Sequence, residues 1–153
     1  MRLFDKEDVL ELLLGNKPLI IPLAAWGIAQ TLKTIISSIR DRQLNLSPLV
    51  SMGGMPSAHA TLVCALATSV ALVQGVDSTV FAFSVILAAI VMYDAAGLRQ
   101  EISEQGTIIN IMITELFQGK PGFEQHLREL IGHTKVEVLA GAALGILLAW
   151  LWT

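Results

Sequence analysis

The residues with the greatest chemical capacity lie in Ser51-Met52-Gly53-Gly54-Met55-Pro56-Ser57-Ala58-His59. Glycine, proline, a hydroxyl and an imidazole crowd together there, and an apolar run follows at once. Pro56 suits the first position of a helix, because its ring presets φ and its missing N–H would have had no partner there. This predicts a helix opening at Pro56, with Ser57 and His59 in its first turn. A helix start presents N–H groups and the positive end of the helix dipole, which favours an anion such as phosphate. Gly53 and Gly54 can turn their own N–H groups toward the same spot. A serine donor and a titratable histidine could then bind and protonate a phosphoryl oxygen. A Gly-Pro turn starting a helix, with a hydrogen-bonded histidine, explains the same residues without any ligand.

Four other places carry candidate chemistry. Gln30, Lys33, Ser37 and Arg40 are spaced i, i+3, i+7, i+10 and share one helical face. Such a stripe inside an apolar helix faces protein or a water-filled cavity. The alternative is that Lys33 snorkels to the surface. Asp94 and Arg99 follow another apolar run and could be no more than a surface ion pair. His133 and Glu137 sit at i, i+4, so the carboxylate could orient the imidazole. Thr134-x-x-Glu137 also fits a capping box, which by itself explains Glu137. His126 and Arg128 lie on a short charged segment, where a solvated His126 is the simpler reading.

The elements that must position these residues are membrane helices. The chain has 153 residues, of which 54% are hydrophobic and 15% charged. A soluble domain carries roughly 25% charged residues. The length fits one domain, residues 1–153. A net charge of −3 offers nothing to a nucleic acid. Cys64 is the single cysteine, so it forms neither an internal disulfide nor a zinc site. The start mixes acids with leucines and lacks the basic region of a signal peptide.

Residues 1–14 predict a short amphipathic helix at the interface, ended by Gly15-Asn16-Lys17-Pro18. Residues 18–39 approach the ~20 apolar residues of a span. A second span is expected from Pro56 to about Gln74. A turn at Gly75-Val76-Asp77-Ser78 follows, with Asp77 or Ser78 as N-cap. The third span covers about 79–93, ending in Tyr93-Asp94. Residues 101–117 predict a helix packed on the active face, and 123–131 a short charged helix. The last span is 136–152, with Trp150 and Trp152 anchoring its far end. Gly141-x-x-x-Gly145 permits a close helix contact. Four spans would bring Arg40, His59, Asp94, Arg99 and His133 to one membrane face, and both termini to the other.

Three blocks resemble a known family. They are Gly53-Gly54-Met55-Pro56-Ser57-Ala58-His59, Tyr93-Asp94-Ala95-Ala96-Gly97-Leu98-Arg99, and Leu130-Ile131-Gly132-His133-Thr134 with Glu137 and Gly141. The chain resembles the divergent branch of the type 2 phosphatidic acid phosphatases, also described as acid phosphatase/vanadium-dependent haloperoxidase related. The parent superfamily carries Lys-x6-Arg-Pro, Pro-Ser-Gly-His and Ser-Arg-x5-His-x3-Asp. Lys33 to Arg40 repeats the first spacing, with Asp41 in place of proline. Pro56-Ser57-Ala58-His59 matches the second apart from Ala58. His133-x3-Glu137 is similar to the end of the third. No Ser-Arg pair precedes His133 at the motif's distance, where Leu127 stands.

The resemblance implies a metal-independent phosphatase with no cofactor. His133 would be the nucleophile, Glu137 its orienter and His59 the general acid. Lys33, Arg40, Ser57 and Gly54 would hold phosphate. Arg99 is the preferred substitute for the missing third-motif arginine, with Arg128 the other candidate and Asp94 supporting Arg99. The expectation is thus an all-α integral membrane helical bundle of about four spans plus short amphipathic helices. It would hydrolyse a lipid phosphate at the membrane surface: phosphatidate, phosphatidylglycerophosphate or a prenyl diphosphate. The partners expected are that substrate and membrane lipids, with a homo-oligomer allowed and no nucleic acid. A non-catalytic protein that binds an anionic headgroup or a protein partner in the same pocket is the rival reading. A haloperoxidase would need bound vanadate. The expected location is the cytoplasmic membrane or its equivalent. Arg40, Arg42, Arg99, Lys120, Arg128 and Lys135 on the active face outnumber Arg2, Lys6 and Lys17, which favours a cytoplasmic active face.

Overall fold

A computed structural model describes residues 6–42, 54–96, 105, 108–109, 111–112 and 135–153. Five helices are defined among them: α1 (Lys6–Gly15), α2 (Lys17–Asp41), α3 (Ala58–Gln74), α4 (Thr79–Ala96) and α5 (Lys135–Trp152). Residues 105, 108–109 and 111–112 are also helical.

The breaks fall where backbone chemistry demands them. Asn16 separates α1 from α2, and its carbonyl accepts from the N–H groups of Leu19 and Ile20, both at 3.0 Å. Pro18 stands in the first turn of α2, where a missing N–H costs nothing. Hydroxyls inside the span turn back onto their own helix. Thr31 donates to the Gly27 carbonyl at 2.8 Å, and Thr34 to the Gln30 carbonyl at 2.9 Å. This satisfies them without water. Gly75 closes α3 with φ +89°, and its N–H reaches the Ala71 carbonyl. Ser78 then caps α4: its Oγ accepts from the Phe81 N–H at 3.2 Å. Of the two candidate caps in that turn, Ser78 takes the role.

Two boundaries differ from the sequence expectation. Helix α3 starts at Ala58, with Ser57 as N-cap, so Pro56 precedes the cap and is not the first helical residue. The reason is that Ser57 Oγ can accept from the Ala60 N–H, a bond for which proline has no group. Helix α4 runs on to Ala96 rather than ending near Tyr93. Ala95, only 4% exposed, packs with Ala60 and Val138, and this contact carries the helix a further turn.

Among the described residues, three helices are long and apolar enough to cross a membrane: Lys17–Arg40, Thr79–Ala96 and Lys135–Trp152. The expected second span, α3, has 17 residues. At about 1.5 Å per residue it is several ångströms shorter than the ~30 Å hydrocarbon layer. It is also the central helix, packed on α2, α4 and α5. Protein covers it, so it need not match the lipid thickness along its own surface. The outer helices show the reverse pattern. On α4 only Ser84, Ala88 and Ala95 are buried, while Phe83, Ile86, Ile90 and Tyr93 point outward. Large apolar side chains outside and small ones inside suit helices that pack on each other and face lipid.

The seam between α3 and α5 is the tightest in the bundle. The two helices run parallel. Gly141 lies on Ser57, Gly145 on Thr61, Ala149 packs with Ala65, and Thr153 Oγ1 is 3.4 Å from Ser69 Oγ. Each pair is 84 residues apart in sequence, so the register stays constant along the contact. A Cβ on Gly141 would overlap the Ser57 carbonyl oxygen, and one on Gly145 the Thr61 carbonyl oxygen. Only glycine lets the backbones approach this closely.

Candidate phosphate site at one end of the bundle

The pairings define two ends. At one, Lys17 Nζ donates to the Thr153 carbonyl, beside Ser69. Trp150 and Trp152 are exposed toward that end, where indole rings favour the membrane interface. At the other end, the last turns of α2 and α4 meet the first turns of α3 and α5. This end holds the described candidates Lys33, Arg40, Gly54, Ser57, His59, Asp94 and Glu137. Arg99, Arg128 and His133 lie outside the described residues, as do Gly53, His126 and Thr134.

Lys33 is the only buried charge among the described residues, at 4% exposure. Its stem crosses Gly54: a Cβ there would stand 3.1 Å from both Cγ and Cδ of Lys33. Gly54 has φ +100°, a conformation that side chains disfavour. Two independent requirements thus select glycine at this position: the backbone angle and the lysine stem. Snorkelling is the alternative for Lys33, but its side chain is enclosed by protein.

Ser57 is fully buried between α3 and α5. Its N–H donates to the Glu137 carbonyl at 3.0 Å. Its Oγ accepts from the Ala60 N–H at 3.4 Å, which leaves the hydroxyl proton for another acceptor. His59 is the second residue of α3 and is exposed. Glu137 is half-buried in the first turn of α5, where the helix dipole favours a carboxylate. Arg40 is exposed in the last turn of α2, and Arg42 beyond it takes φ 51°. A cation there complements the negative end of the helix. Asp94 is exposed near the end of α4, where the dipole disfavours a carboxylate and a neighbouring cation would offset the cost.

This end therefore joins a buried ammonium, a capped helix start with its first-turn N–H groups, an imidazole and a carboxylate. The combination favours an anion of phosphate type. Among the described residues no three His, Cys, Asp or Glu side chains are grouped as metal ligands.

Thr61 was not singled out by sequence. It is fully buried, and its hydroxyl stands 2.9 Å from the Gly141 carbonyl and 3.0 Å from the Ser57 carbonyl. A signal was present: Ser57, Thr61, Ala65 and Ser69 recur every four residues, as do Gly141, Gly145 and Ala149. Two small-residue stripes of equal period can lie against each other.

The sequence profile of the “Divergent PAP2 family” matches residues 14–148. The chain is also 42% identical over 147 residues to “Uncharacterized membrane protein YuiD” of Bacillus subtilis (strain 168), covering 89% of this chain and 93% of that protein. No solved structure matches it.

Proposed function

The chain belongs to the divergent PAP2 family, and from that premise we propose that it is a metal-independent lipid-phosphate phosphatase. The observation that carries the reading is Lys33, a buried cation in a membrane helix, laid over Gly54 at the end where Ser57, His59 and Glu137 gather. Ionisable residues in spans are costly, and they mark sites of function by default.

In this reading Lys33, Arg40, Arg99, Ser57 and the Gly54 N–H hold the phosphoryl oxygens. His133 attacks phosphorus, and the bond to the leaving oxygen breaks as the N–P bond forms. His59 gives that oxygen its proton. Water then attacks the phosphohistidine, with His59 taking the proton, and phosphate leaves. Glu137 accepts a hydrogen bond from the other ring nitrogen of His133 and keeps the attacking nitrogen unprotonated. Covalent catalysis divides one difficult displacement into two easier ones. The cations stabilise charge on the equatorial oxygens.

The substrate class follows from position. A site at the end of a membrane bundle meets phosphates at headgroup depth, as in phosphatidate, phosphatidylglycerophosphate or prenyl diphosphates. The test is phosphate release by purified protein, in detergent with chelator, from a panel of these lipids. Turnover of at least one lipid is expected. No turnover, with retained binding of vanadate or of anionic vesicles, would replace the enzyme with a headgroup-binding protein.

A further inference from the structure

We propose that Thr61 is a positioning residue: its hydroxyl sets the register of α5 against α3 and so holds Glu137 beside the start of α3. This rests on the phosphatase reading above, and the role itself is assigned from geometry.

Two polar rungs cross the seam near the start of α3. The Ser57 N–H donates to the Glu137 carbonyl at 3.0 Å, and the Thr61 hydroxyl lies 2.9 Å from the Gly141 carbonyl. Donors and acceptors are each four residues apart, so the rungs are one helical turn apart on both helices. Between these rungs and the Thr153–Ser69 hydroxyl pair at the far end, the seam is glycine against backbone and alanine against alanine. Such a smooth contact fixes distance well but resists sliding poorly. Slipping α5 by one residue would move it about 1.5 Å and turn its side chains by about 100°. Glu137 would then leave its place. The hydroxyl of a buried threonine, shared between carbonyls of both helices, opposes that slip. Removing it does not orphan the Gly141 carbonyl, which keeps the intrahelical acceptor role of its position. The role of Thr61 is therefore geometric.

The test compares Thr61→Val, which is nearly isosteric, and Thr61→Ala with Thr61→Ser, which keeps the hydroxyl. Each is made in the full chain. Spin labels at Met55 and Val136, both exposed, report register in a Cys64→Ala background. Thr61→Val and Thr61→Ala should lower kcat about tenfold or more, because misplacement by about 1 Å can cost up to a hundredfold. KM should stay within about twofold, since ground-state phosphate contacts are untouched. The label distance should shift or broaden in these two variants, and Thr61→Ser should restore both readouts. Wild-type kcat and distance in the folded variant of either kind would overturn the role. Thr61→Ser as impaired as Thr61→Val would also overturn it, by assigning the effect to packing. Absence of turnover in the wild type would bring down the phosphatase reading and the catalytic consequence with it. The label distances would still show whether the hydroxyl holds the register.

Discussion

Gly141 lies directly on Ser57, with no space for a side chain: a Cβ on Gly141 would overlap the Ser57 carbonyl oxygen and stand 3.1 Å from the Ser57 nitrogen. The last helix is thereby held against the residue that starts the central one. Gly141→Leu should force α5 away from α3. Overpacking of this kind costs roughly 1–3 kcal/mol, and more where backbone must yield. The expected outcome is a lower melting temperature in detergent, with Ile146→Leu, an exposed position, as the unchanged control. Equal melting temperatures would contradict the close seam.

Lys33 should matter for phosphate binding. Lys33→Met keeps the apolar stem over Gly54 and removes the ammonium. A charge-assisted contact contributes roughly 1.5–3 kcal/mol, so phosphate or vanadate affinity should fall about tenfold to a hundredfold. The melting temperature in detergent is read alongside, to establish that the variant is folded. Unaltered vanadate affinity by calorimetry would exclude Lys33 from the site.

Much of this architecture was legible in the sequence. Gly15 to Pro18 announced the break between α1 and α2, and Gly75 to Ser78 the turn before α4. The stripe containing Lys33 announced a helix face turned inward. These features depend on residues near each other in the chain. What stayed hidden depended on partners. Ser57 rather than Pro56 starts α3 because a serine can accept the Ala60 N–H. Gly141 and Gly145 suggested a close contact but not with which helix, and the pairing with Ser57 and Thr61 spans more than eighty residues. Thr61 reads in isolation as an ordinary residue of an apolar run.

Arg99 and Arg128 compete for the arginine position that the third motif lacks. Asp94, exposed where α4 nears its end, gives Arg99 a carboxylate close in sequence. Arg99→Ala should cut kcat/KM about tenfold to a hundredfold, and Arg128→Ala by much less. Equal small effects in steady-state kinetics would remove Arg99 from the phosphate contacts.

The excess of Lys and Arg expected on the active face from the order of the spans in the sequence predicts that this face is cytoplasmic. Cysteines at Gln43 and at Thr153, in a Cys64→Ala background, can be probed on intact cells with a membrane-impermeant thiol reagent. Labelling at Thr153 but not at Gln43 is expected. The reverse pattern would place the active face outside.

The phosphohistidine mechanism is tested most directly by phosphate release in chelator from wild type, His133→Ala and His59→Ala, on the same lipid panel. Wild type should turn over at least one lipid phosphate. His133→Ala should abolish release, and His59→Ala should abolish it too, while both keep the wild-type melting temperature. Persistent turnover in His133→Ala would contradict the mechanism.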